Sequence, residues 1–85
     1  MKEFTWTIQD GLGVHARPAG LLVKELGKYV SAVTITAGGK TADARRLMAI
    51  MTMAIKCGDT VVFKIEGSDE ETAAAGLLAF CEKNW

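Results

Sequence analysis

Residues 13–19 read G-V-H-A-R-P-A, and this stretch holds the side chains best suited to chemistry. His15 is the one histidine of the sequence; Arg17 stands two residues on, with Pro18 next. An alternating segment with the period of a strand precedes it and an apolar run with helical spacing follows, so the histidine falls where a strand hands over to a helix. A helix start offers unpaired backbone N–H groups and roughly half a positive charge, which together favour an anion. If the chain enters the helix at His15, the N–H groups of Ala16 and Arg17 point towards whatever the imidazole carries. Neutral imidazole is a nucleophile at physiological pH, and the helix end disfavours its protonation. Arg17 stays charged and can present a planar fork of donors to phosphate oxygens. Such a set suits a phosphoryl group that is accepted and then released. It does not suit a complete reaction, because Asp10 is the only carboxylate near in sequence and there is neither a Walker loop nor a metal cluster. An isolated His-x-Arg-Pro is more often a solvated loop histidine beside a surface charge; the strand-to-helix junction is what sets this one apart.

The elements that must position the site follow from periodicity. Phe4, Trp6 and Ile8 alternate with Glu3, Thr5 and Thr7, a strand with one buried face. After D-G-L-G, Ala19, Leu22, Val23 and Leu26 mark an amphipathic helix from Ala16 to about Lys28, with Pro18 in its first turn where its missing N–H costs nothing. Val33 and Ile35 belong to a second strand, Gly38-Gly39 to a tight hairpin, and Thr41 to Asp43 to a short polar return strand. The string R-R-L-M-A-I-M-T-M predicts a short helix from Arg45 to about Met53. Val61, Phe63 and Ile65 form a further strand. Ser68 with Glu71 reads as a capping box opening a last helix, whose buried stripe is expected at Ala74, Leu77, Leu78 and Cys81. The order βαββαβα, with strands buried on one face only, predicts an α+β open-faced sandwich: a mostly antiparallel sheet with helices on one side and water on the other.

Composition narrows the function classes. With 85 residues, 49% hydrophobic and 24% charged, the chain reads as one domain over residues 1–85, near the lower size at which a core alone sustains a fold. Lys+Arg and Asp+Glu both number 10, so the basic excess usual in nucleic-acid binders is missing. The start, M-K-E-F-T-W-T, alternates instead of resembling a secretory leader, and no apolar run approaches the roughly 18 residues of a membrane span, so a cytoplasmic protein without membrane insertion is expected. Cys57 and Cys81 stand far apart and are expected to be reduced, mostly packed thiols. One histidine and two distant cysteines make no convincing metal site.

G-V-H-A-R-P-A, the apolar helix after it and G-K-T at 39–41 together resemble the histidine-containing phosphocarriers of the HPr family, of the bacterial phosphoenolpyruvate-dependent sugar phosphotransferase system. The resemblance runs along the whole chain. It implies a four-stranded antiparallel sheet with three helices on one face, no cofactor, and a stoichiometric carrier instead of an enzyme. His15 would be phosphorylated at Nδ1 by the first enzyme of the system and would pass the group to a histidine of a sugar-specific IIA component. Arg17 would neutralise the phosphate, and the amides of Ala16 and Arg17 would hold it. The chain would act as a monomer.

The short helix points to a docking surface. Leu47, Met48, Ala49, Ile50 and Met51 are consecutive apolar residues, and two helical turns cannot bury them all against one sheet. Ile50 and Met53 are assigned to the core; Leu47, Met48 and Met51 are left as an exposed patch of flexible, polarizable side chains that can fit several partners. In the family the matching patch docks both donor and acceptor, which implies that Gly20, Lys24 and Gly27 of the first helix complete the surface. Arg17, Lys24, Arg45 and Arg46 are expected to add positive charge around it. Departures from the family are also legible. Arg46 occupies the place of a regulatory serine phosphorylated in many Gram-positive relatives, so no regulatory serine is expected; Leu12 and Gly20 replace residues that are often polar. A regulatory binding module on the same fold, acting through Leu47, Met48 and Met51 alone, is the alternative reading. A nucleic-acid-binding domain is disfavoured because Phe4, Trp6 and Phe63 sit on apolar strand faces.

Overall fold

The structure is a computed structural model and describes residues 1–9, 11 and 16–85. Its elements are β1 (Lys2–Thr7), α1 (Ala16–Leu26), β2 (Ala32–Ala37), β3 (Lys40–Asp43), α2 (Leu47–Thr52), β4 (Thr60–Glu66) and α3 (Glu70–Asn84). The four strands form one antiparallel sheet in the order β1-β4-β2-β3. The register places Phe4 opposite Phe63, Trp6 opposite Val61 and Ile35 opposite Phe63, so the apolar residues of three strands share one face. Glu3, Thr5, Thr7, Lys64, Glu66 and Asp43 line the other face and are exposed. The expected open-faced α+β sandwich with βαββαβα order is the fold observed.

Each connection has a local cause. Ala37 pairs with Lys40 across a two-residue turn, and Gly38 and Gly39 have φ of +58° and +79°, the left-handed values such a turn needs. Ala19, Leu22 and Leu26 of α1 are completely buried, and Pro18 lies in its first turn as expected. The last turn of α1 tightens through bonds from the Gly27, Lys28 and Tyr29 amides to the carbonyls three residues back, each 3.2 Å. Six residues are too few for a stable isolated helix, so α2 depends on its contacts. Its anchor is Ile50, fully buried, worth about 1.5–3 kcal/mol by area.

The start of α3 differs from the expected capping box. Helix α3 begins at Glu70, and its N-cap is Asp69, not Ser68. The Asp69 carboxylate does not cap its own helix; Oδ1 accepts from the Ser31 amide (2.9 Å) and the Ser31 hydroxyl, and Oδ2 from the Val30 amide (3.0 Å). Three donors in the α1–β2 connection hold both oxygens of this carboxylate, and two of them belong to Ser31, which is buried and would be costly to leave unpaired. The Gly67 amide donates to Glu70 Oε1 at 3.3 Å, and Glu71 pairs with Lys2 at 3.5 Å.

The buried stripe of α3 also differs. Ala73, Leu77, Phe80 and Cys81 are buried, Ala74 is half-buried and Leu78 is exposed. From Ala73 to Cys81 nearly every residue is apolar, so periodicity admits several faces. The aromatic packing of Phe80 against Trp85, with ring centroids 6.1 Å apart, and the passage of Tyr29 across Gly76 select one. A Cβ at position 76 would overlap the Tyr29 hydroxyl and sit 2.8 Å from its Cζ, which explains a glycine inside this helix. That hydroxyl donates to Glu25 Oε2 at 3.1 Å and so ties α1 to its own exit loop.

Candidate functional site

The site is framed by the end of β1, the start of α1 and the exposed side of α2. Past β1, the Ile8 amide donates to the Asp59 carbonyl and the Gly58 amide to the Ile8 carbonyl, both at 2.9 Å, which fastens the strand end to the α2–β4 turn. The chain re-enters regular structure at Ala16, the first residue of α1. His15, the expected phosphoryl acceptor, and Leu12 lie outside the described residues. Ala16 and Arg17 occupy the first two positions of α1, where backbone N–H groups have no partner within the helix, and the Arg17 side chain is exposed.

Helical spacing places Arg17, Gly20 and Lys24 on one stripe of α1, opposite the buried Ala19, Leu22 and Leu26, and Gly27 lies in the turn just past the end of α1. Gly20 is half-buried; Lys24 and Gly27 are exposed. On α2, which packs beside α1, Met48 is 68% exposed and Leu47 and Met51 36% each, while Ile50 points inward and Met53 packs against the core. The expected division of α2 between core and surface is therefore observed. Leu21, 39% exposed on α1, is a further surface apolar residue that sequence reasoning did not select.

Arg45 is not one of the free cations. Its Nη2 donates to the carbonyls of Leu26 (3.1 Å) and Tyr29 (2.9 Å), and it is half-buried at the end of α1. A guanidinium there satisfies orphan carbonyls and complements the negative helix end, a stronger demand than a solvated position on the docking face. Arg46 is exposed at the N-cap of α2 and makes no side-chain cap. Positive charge near the site thus comes from Arg17, Lys24 and Arg46.

Trp85 is the C-cap of α3. It is 4% exposed. Its ring packs against Phe63 and Phe80, its Nε1 donates to the Pro18 carbonyl at 3.2 Å, and its backbone oxygen accepts from the Gln9 amide at 2.7 Å. The cysteines divide: Cys81 is buried, and desolvation pushes its thiol up to about 12, whereas Cys57 is exposed, contrary to the expectation of packed thiols. Cys57 sits in the Lys56–Asp59 turn, which the Asp59 carboxylate closes by accepting from the Lys56 amide at 2.9 Å, and its Sγ lies at the surface, 4.0 Å from the Gln9 carbonyl oxygen. Among the described residues no group of three or more His, Cys, Asp or Glu could hold a metal ion, and no helix is long and apolar enough to cross a membrane.

Residues 2–83 match the family model described as PTS HPr component phosphorylation site. The chain belongs to the HPr family. It is 36% identical over 85 residues to the phosphocarrier protein HPr of Mycoplasma genitalium, covering 99% of this chain and 97% of that one. It is 41% identical over 71 residues to the HPr-like protein Crh of Halalkalibacterium halodurans, covering 84% of each. The crystal structure of HPr-C-His from Thermoanaerobacter tengcongensis superimposes with a TM-score of 0.92 at 36% identity, over 99% of this chain and 94% of that one. Membership in the HPr family connects the chain to phosphocarriers of the phosphotransferase system, and the open four-stranded sheet with three helices is the HPr architecture.

Proposed function

We propose that the chain carries a phosphoryl group on His15, accepting it from the phosphorylated first enzyme of the phosphotransferase system and delivering it to IIA components. The observation that carries this reading is the place of the His-Ala-Arg-Pro motif: His15 immediately precedes a helix whose first two residues are Ala16 and Arg17, within a chain matched to the HPr family over residues 2–83. In this mechanism Nδ1 of neutral His15 attacks phosphorus while the bond to the donor breaks and its electron pair leaves with the donor. The dianionic product is held by the Ala16 and Arg17 amides and by the Arg17 guanidinium. The reverse attack by an acceptor nitrogen empties the site, so the protein is recovered unchanged and acts as a carrier in the cytoplasm. Donor and acceptor dock in turn on Gly20 and Lys24 of α1, Gly27 just past its end, and Leu47, Met48 and Met51 of α2. The carrier needs no cofactor and works as a monomer, to be checked by light scattering because similar structures include an HPr dimer from T. tengcongensis.

The test is intact-mass spectrometry after incubation with phosphoenolpyruvate and the cognate first enzyme, on the wild type and His15→Ala. The expected result is one phosphate adduct, labile in acid, stable in alkali and missing from the variant. An active donor that leaves the wild type unmodified overturns the carrier reading in favour of a regulatory module acting through the α2 patch.

A further inference from the structure

A trough of about 480 Å³ runs between α1 and α3. Leu21, Lys24 and Glu25 of α1 line one side, with Lys28 just past the helix end; Gly76, Ala79, Phe80 and Lys83 of α3 line the other. The spacing i, i+3, i+4 on both helices turns one stripe of each towards the trough. Gly76 and Ala79 bring almost no side chain to the α3 wall. Leu21 and Ala79 are exposed, and Phe80, though buried, lines the recess, so its surface is apolar between charged rims.

The charge on those rims is one-sided. Three lysines stand against one carboxylate, and that carboxylate is already committed: Glu25 Oε1 accepts from Lys28 Nζ at 3.0 Å and Oε2 from the Tyr29 hydroxyl at 3.1 Å. Lys24 and Lys83 make no ion pair among the described residues. A chain of zero formal charge therefore concentrates positive charge around one apolar recess. We propose that this trough docks an acidic amphipathic helix of a partner protein, whose apolar stripe enters between Leu21 and Phe80 while its flanking carboxylates meet Lys24 and Lys83.

Charge complementarity selects this occupant. Apolar anchors at helical spacing with charged flanks are the pattern of a helix laid in a groove, and cations at the rim favour acidic flanks. A small-molecule pocket would gather polar groups on its floor, and a flat bilayer surface cannot follow a recess. The α3 lining from Gly76 to Lys83 extends about 10 Å at 1.5 Å per residue, two turns of a docked helix. Lys24 also stands on the α1 stripe of the proposed phosphotransfer surface, so the test relies on Leu21 and Lys83, which that surface does not include. The inference is independent of the phosphocarrier reading, because every measurement uses unphosphorylated protein without a donor.

The probe is a synthetic peptide of about 15 residues, capped at both ends, with leucine at helical spacing and glutamate on the flanks. It is titrated into isotope-labelled protein by NMR, beside a peptide with lysine in place of glutamate. The acidic peptide should give saturable shifts of the Leu21, Gly76, Ala79 and Lys83 amides that weaken with added salt, and the basic peptide should give none. Lys83→Glu should weaken binding about three- to tenfold, the reversal of one exposed charge pair. Leu21→Glu should weaken it about tenfold or more, through a lost apolar contact and added repulsion. Both side chains are exposed, so both variants should fold, and the wild-type shift map decides the site if one does not. Met48→Asp should bind the peptide as wild type does. No shift of these amides at peptide concentrations on the order of 1 mM overturns the inference, as does an equal response to the basic peptide. Weakening by Met48→Asp and not by Leu21→Glu places the peptide on α2 and also overturns it. Pelleting with phosphatidylglycerol vesicles, without any peptide shift, assigns the face to a membrane surface instead.

Discussion

Asp69 shows how a single residue can escape a local motif. The sequence offers Ser68 and Glu71 as a capping box, yet the neighbouring carboxylate is held by donors 38 and 39 residues away. The Ser31 hydroxyl foremost, with the Val30 and Ser31 amides, keeps the Asp69 carboxyl below its ordinary value of 3.8. A depressed carboxyl binds its proton less tightly in the folded than in the unfolded chain, so its stabilisation is present above pH 3.8 and is lost as pH falls through the lower folded value. The wild-type melting temperature should therefore drop more steeply below about pH 4 than that of Asp69→Asn, measured by calorimetry at constant ionic strength; parallel pH profiles would refute the assignment. The cysteines give a second residue-scale test. With Cys81 buried and its thiol pushed up to about 12, only Cys57 should react with iodoacetamide in the native protein, and both should react in denaturant, read by intact mass.

Helix α2 sets the terms at the scale of elements. Its C-cap is Met53, and Ala54 follows with φ of +52°, a left-handed conformation that glycine adopts freely and alanine does not. Ala54→Gly should stabilise the protein by about 0.5–1 kcal/mol, net of glycine's greater freedom when unfolded. A rise in urea midpoint at unchanged m-value is the expected readout, and a fall would show that the turn is not under strain. The periods that located the elements were legible because each strand alternates cleanly and α1 has one apolar stripe. Helix α3 was legible in extent but not in orientation: Leu78 is as apolar as Leu77, and only Phe80, Trp85 and Tyr29 decide which of them faces the sheet. Arg45 was likewise legible as a cation and not as the residue closing α1, since Leu26 and Tyr29 are brought to it by the packing of α2 on α1.

At the scale of the whole molecule, a chain with zero formal charge carries Arg17, Lys24 and Arg46 near an apolar patch, while Asp69, Glu70 and Glu71 gather at the start of α3. A balanced total can thus still present one cationic face to an acidic partner. Met48 stands furthest out of that patch. Met48→Asp should leave unfolding free energy within about 0.5 kcal/mol of wild type, as surface changes do, yet raise the KM of the phosphoryl donor for this protein by about tenfold or more, the loss of one buried apolar contact. Steady-state phosphorylation paired with thermal melts makes the check, and an unchanged KM would remove α2 from the docking surface.

Short-range pattern determined the order of elements, the buried faces of the strands, the Gly38-Gly39 turn, the junction at which His15 stands and the surplus of apolar residues on α2. Each of these is a property of neighbours within a few positions, where backbone geometry imposes a period. The tertiary structure alone decided where Asp69, Arg45 and Trp85 make their long-range bonds, because these partners lie 16 to 76 residues away. Their side chains are competent for several roles, and the donors and carbonyls that claim them come within reach only once the sheet and its helices have assembled. The same assembly joins Gln9 and Pro18 to one tryptophan, a relation that no local spacing could carry.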